Sequence, residues 1–193
     1  MALGAQEPGG YRFHRMTRNE RHILAIDVRR SRFGYALFEG ATRLLDWGAS
    51  AIPRRLSGRA AVGMAQKRIA TVLQNCRPTA VVLRRPRRMR IGRNSTPGPI
   101  LNALFHETTS RSTLVHFVSR EAIQNTFRGV HANTKDEIAE LLTQIFPELL
   151  TRLPPKRKAW QTEPQAMVVF DAVATGFAYW QQGGTDDQAP EMK

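Results

Sequence analysis

The sequence predicts an α/β fold built on a five-stranded mixed sheet, three antiparallel strands followed by two parallel ones, with flanking helices. Three observations predict it. Three strand-length apolar runs follow one another across short connections after residue 21. The hydrophobic period then changes to a helical one, at residues 57–75. Beyond Pro78, two further strand-length runs alternate with helical segments, and the first, Thr79–Leu83, is continuously apolar, as a parallel strand covered on both faces is.

The elements follow in order. His22-Ile-Leu-Ala-Ile-Asp27, Phe33-Gly-Tyr-Ala-Leu-Phe38 and Thr42–Ile52 are the three antiparallel strands, with Glu39-Gly40 supplying a turn. Ser57–Asn75 is a helix carrying Ala61, Met64, Ala65, Ile69, Val72 and Leu73 along one side. Thr79–Leu83 is the fourth strand, Pro97–Ser112 a helix, and Thr113–Val118 the fifth strand. Ser119–Phe127 is a short helix capped by Ser119. Thr134–Phe146 is another, opened by a Thr134/Glu137 capping box and ended by Pro147. A last helix is expected from about Pro164 to Trp180, with proline in its first turn. Residues 1–21 lack periodicity and read as a flexible arm, and 183–193 as a disordered tail, leaving 22–182 as the folded unit.

Composition bounds the function. The 193 residues carry 29 Lys+Arg against 16 Asp+Glu, a formal charge of +13. Such an excess attracts polyanions, of which nucleic acid is the commonest. An anionic membrane surface is disfavoured, because most of the basic charge lies outside helical patterns. No apolar run approaches the roughly 20 residues of a membrane-spanning helix, and the N-terminus does not read as a secretory signal, so a cytoplasmic location is expected. The single cysteine, Cys76, excludes an internal disulfide framework and reads as a small buried hydrophobe. The five histidines show no metal-ligand spacing.

Two carboxylates stand out. Asp27 ends the first strand, and functional groups in α/β sheets gather beyond the carboxyl ends of strands. Asp171 lies in a helix that is apolar nearly all round, where a carboxylate needs a partner or a cleft. The strand ending in Asp27, followed by Val-Arg-Arg-Ser-Arg-Phe-Gly-Tyr-Ala-Leu, resembles the opening of RuvC-type Holliday-junction resolvases and their YqgF-like relatives. Phe170-Asp171-Ala-Val-Ala-Thr-Gly-Phe-Ala resembles their last helix, and the element order from about Ile23 to Trp180 is RNase H-like.

The resemblance implies a two-metal phosphodiesterase. Carboxylates hold two divalent cations, magnesium or manganese, that activate a water and stabilise the leaving oxygen. Asp27 and Asp171 would be the catalytic and metal-binding residues, with Glu163 a doubtful third. Eight residues before Asp171 on the expected helix, Glu163 would stand about 12 Å away, far for one metal site. The sequence departs from the family pattern at three places. Arg84 stands where the fourth strand should end in Glu, Val168 where another metal ligand is common, and Arg29 where the turn usually has Gly. A guanidinium repels a metal, so Arg84 would instead pair with Asp27 or Asp171.

The stretch Arg84–Arg93 holds six arginines in ten residues: Arg84, Arg85, Arg87, Arg88, Arg90 and Arg93. It leaves the fourth strand beside the expected site. With Arg29, Arg30 and a second patch at Lys156, Arg157 and Lys158, these are the expected phosphate contacts. Trp160 beside that patch either stacks on a base or is packed. Three functions compete. The leading one is a degenerate nuclease that binds structured or branched nucleic acid, DNA ahead of RNA. The second is an active metal-dependent endonuclease, and the third an assembly protein holding an acidic partner. The family resemblance also implies a homodimer. No other cofactor is implied.

Overall fold

A computed structural model describes residues 22–85, 98–156, 160 and 163–184. Its elements are β1 (His22–Val28), β2 (Arg32–Glu39), β3 (Arg43–Ala51), α1 (Gly58–Cys76), β4 (Ala80–Arg84), α2 (Pro99–Ser110), β5 (Leu114–Val118), α3 (Arg120–Arg128), α4 (Lys135–Ile145) and α5 (Met167–Gln181). Several expectations fall outside the described residues: the arm 1–21, the tail residues 185–193, and the phosphate contacts assigned to Arg87, Arg88, Arg90, Arg93, Arg157 and Lys158.

The sheet runs β3-β2-β1-β4-β5, with β1 central. β1 is antiparallel to β2 and β2 to β3, whereas β4 is parallel to both β1 and β5. This is the five-stranded mixed sheet the sequence predicts. Alternation along β1 sorts its side chains between two cores. Leu24 and Ile26 face α1 and α2 together with Val81 and Leu83 of β4. Ile23 and Ala25 face α5, together with Ala80 and Val82. The same parity carries Asp27 and Arg84 onto the α5 side, one step past the paired residues Ile26 and Leu83.

α5 is buried all round except at Asp171 and at its last residue, Gln181. It seats very closely on the sheet. A Cβ built on Gly34 would lie 2.1 Å from the carbonyl oxygen of Val168, and one on Gly176 would meet Phe38 and Ala25. Both positions need glycine because backbone and ring occupy the space a side chain would take. Ser119 caps α3 by accepting from the Ala122 N–H, and Thr134 and Glu137 form the predicted reciprocal capping box on α4.

Two boundaries differ from expectation. Pro147 ends α4 but opens a 3-10 turn over Pro147–Arg152. The last helix begins at Met167 rather than near Pro164, so Glu163 is not on it. Pro164 and Gln165 form a turn that feeds the helix, with the Met167 N–H donating to the Pro164 carbonyl.

Candidate functional site

The site forms where β1, β4, α4 and α5 converge. Asp27 is buried, with a side chain only 1% exposed, at the carboxyl end of the central strand. Asp171 reaches toward it from the first turns of α5, and Glu163 approaches from the segment before that helix. The expected separation of about 12 Å between Glu163 and Asp171 on one helix face is therefore corrected. Lys135 Nζ lies 2.9 Å from Glu163 Oε1 and 2.8 Å from Asp171 Oδ2, so one ammonium bridges both. The late start of regular helix makes this approach possible.

Three cations close on these three carboxylates. Arg29, in the β1–β2 turn, donates from Nε to Asp27 Oδ2 at 2.6 Å and from Nη2 to Glu163 Oε1 at 3.2 Å, and its Nη2 also contacts Asp171 Oδ2. Arg84 Nη2 stands 2.8 Å from Asp27 Oδ1 as an ion pair outside hydrogen-bond angles. The pairing of Arg84 with Asp27, one of two partners the sequence suggested, is the one formed. Burial pushes the Asp27 carboxyl pKa above its ordinary value, Asp171 adds to the rise, and Arg84 and Arg29 only partly counter it. Burial works against the Arg29 charge too, but Asp27, Asp171 and Glu163 more than offset it, so its pKa rises.

This set does not fit a two-metal centre. Magnesium demands oxygen ligands in near-octahedral array and keeps several waters. Here both oxygens of Asp27 and one each of Glu163 and Asp171 are engaged by guanidinium or ammonium groups, and the Asp27 side chain is 1% exposed. A guanidinium occupies the end of β4, where the family pattern calls for Glu. Among the described residues no group of three or more acidic, His or Cys side chains is arranged to hold a metal.

Sequence reasoning missed two site residues and misread a third. Lys135 is the first residue of α4, right after its Thr134 cap. A cation at a helix N-terminus opposes the macrodipole, and that unfavourable placement was the available signal that it had another partner. Arg120 opens α3 and lines the same cleft, of about 420 Å³, with Arg29, Arg84, Arg85 and Lys135. Arg29, expected as a phosphate contact, instead turns inward to bind all three carboxylates. Of the other expected contacts, Arg30 is exposed in the β1–β2 turn, and Lys156 pairs with Glu140 at 2.9 Å. The structure does not describe the run Arg87, Arg88, Arg90 and Arg93, so it places none of these four at the cleft. Trp160, which the sequence left as either stacking or packed, is 79% exposed. No helix among the described residues is long and apolar enough to cross a membrane.

No protein-family model and no curated protein matches this sequence. Solved structures do match it. Thermus thermophilus RuvC aligns at a TM-score of 0.63 and 19% identity, covering 87% of this chain and 99% of that one. The same protein in complex with a Holliday junction substrate aligns at 0.62 and 18%, covering 85% and 95%. The yeast mitochondrial Holliday junction resolvase aligns at 0.54 and 12%, covering 84% and 81%. The chain thus has the RuvC-like form of the RNase H-like fold.

Proposed function

We propose that this chain is a nucleic-acid-binding RuvC-like domain that grips structured or branched DNA, and that ion pairs have taken over its former nuclease centre. The observation that carries this reading is Arg29, whose single guanidinium binds Asp27, Glu163 and Asp171 together. With Arg84 and Lys135 it sets three cations against three carboxylates, where a nuclease would leave the negative charge for metal. Mg²⁺ or Mn²⁺ accordingly has no place in this proposed mechanism.

The cleft remains suited to a phosphate backbone. Two further arginines, Arg85 and Arg120, line it, so that five cationic side chains share the lining with two carboxylates, Glu163 and Asp171. Phosphate contacts of this kind supply affinity without reading sequence. Trp160, 79% exposed and close in sequence to the Lys156–Lys158 patch, is the aromatic side chain we assign to stacking on an unpaired base. The neighbour of the same fold solved with a Holliday junction substrate supports branched DNA as the substrate class.

The test is a gel assay with labelled four-way junction, duplex DNA and RNA–DNA hybrid, each with Mg²⁺, Mn²⁺ or EDTA, and with Asp27→Asn alongside. Shifted but uncut junction under all three conditions is expected. Metal-dependent cleavage that Asp27→Asn abolishes would overturn the proposal in favour of an active endonuclease. Absence of any shift would point to the acidic-partner reading.

A further inference from the structure

A second groove, of about 910 Å³, meets the first at Arg29 and lies on the opposite face of the sheet. Its walls are the β1–β2 turn, the segment after β3, and the N-terminal turns of α1 and α2. Ile52 and Ala61, on its floor, belong to the core between the sheet and α1 and α2. Arg29, Arg30, Arg32 and Arg54 line this groove, and among the described residues no carboxylate does. A smaller recess shares Arg29 and Arg32 with this groove, and Arg29 and Glu163 with the cleft over β1 and α5. The first turns of α1 and α2 carry no acidic residue, which adds to the positive potential without creating it.

With Arg29 held by the carboxylates, Arg30, Arg32 and Arg54, from the β1–β2 turn, the start of β2 and the segment after β3, still exceed what one small anion needs. The spread fits successive phosphates of a backbone, each taken by a planar fork. Because the groove and the cleft share Arg29, backbone lying in one is positioned to lead toward backbone in the other. The two grooves diverge from Arg29 to opposite faces of the sheet, as two strands diverge at a branch point.

We propose that the groove between the β1–β2 turn and the starts of α1 and α2 holds a second stretch of phosphodiester backbone, so that strands leaving a branch part at Arg29. This rests on the nucleic-acid reading above and adds to it a ligand for a separate surface. It makes the chain selective for branched over linear nucleic acid, since a linear duplex fills one groove only.

The test compares the parent chain with Arg30→Ala/Arg32→Ala/Arg54→Ala on a four-way junction and on a linear duplex of equal length, across a salt series. Arg30 and Arg54 are exposed and Arg32 is half-buried, so the fold should persist. Far-UV circular dichroism checks it, and the single Arg54→Glu variant at an exposed position gives an independent reading. Junction affinity is expected to fall at least about tenfold, and the slope of log affinity on log salt to lose about 2–3, near 0.9 for each phosphate contact removed. Duplex affinity should stay within about twofold. Unchanged junction binding, or equal losses on both ligands, would overturn the second groove while the parent's binding leaves the broader proposal standing. A parent that binds neither ligand would bring down the broader proposal itself.

Discussion

Replacing Arg29 with Ala tests the ion-paired centre most directly. The substitution leaves Asp27, 1% exposed, with Arg84 alone, and leaves Glu163 and Asp171 to share Lys135. Three carboxylates then keep only two directly paired cations, in a cleft where Asp171 is itself only 12% exposed. Removing one partner of a buried pair costs about 3–5 kcal/mol. The Arg29 side chain is 32% exposed, so water screens part of this, leaving about 2–3 kcal/mol. At about 2–4 °C per kcal/mol for a domain of this size, the midpoint of thermal unfolding should fall by about 5–10 °C. Urea unfolding at neutral pH, followed by circular dichroism, reads the free energy directly. Arg29→Met keeps much of the packed stem and should lose nearly as much as Ala, because the charge is what the site needs. In the Asp27→Asn background the Arg29→Ala loss should shrink by about 1–3 kcal/mol, the coupling expected of groups in contact. A loss below about 0.5 kcal/mol, or full additivity with Asp27→Asn, would refute the reasoning: Arg29 would then not hold the carboxylates in solution.

Other outcomes follow from neighbouring features. Thr134→Ala removes the oxygen that caps α4 and should cost about 1 kcal/mol in urea unfolding, with Lys135, the next residue, losing its fixed approach. Gly34→Ala drives a Cβ into the Val168 carbonyl and should cost about 2–3 kcal/mol, displacing the start of α5 that carries Asp171; a neutral result would mean that α5 seats less closely than described. The raised Asp27 pKa makes the folded chain take up a proton more readily than the unfolded one. Its contribution to stability is therefore fully present below the ordinary value of 3.8 and is lost as pH rises from there through the folded value. Subtracting the stability–pH curve of Asp27→Asn from that of the parent should give a difference that falls across this window; a rising one would reverse the assignment.

Much of the fold was legible because it depends on local pattern. A change from alternating to helical period places β1–β3 and α1, and the continuous run Ala80–Leu83 marks a strand covered on both faces. The Thr134/Glu137 capping box, the Ser119 cap and the prolines gave starts and stops, since each acts within a few residues of itself. The error at α5 had the same local origin. Pro164 suits a first helical turn, but here it opens the turn that precedes the helix, and nothing within a few residues of it distinguishes the two. That shift of three residues is what brought Glu163 to Lys135.

By itself the sequence determined the mixed sheet, the basic charge, the strand-end position of Asp27 and the arginine at the end of β4. Each is either a composition or a pattern along one element. Tertiary structure alone decided that Arg29 turns inward and that Lys135 completes the centre. Arg29 and Glu163 are 134 positions apart, and Lys135 and Asp171 are 36 apart. Whether such charges meet depends on how α4 and α5 lie against β1, set by close packing such as that of Gly34 on Val168. A buried carboxylate takes whichever cation the packing brings within reach.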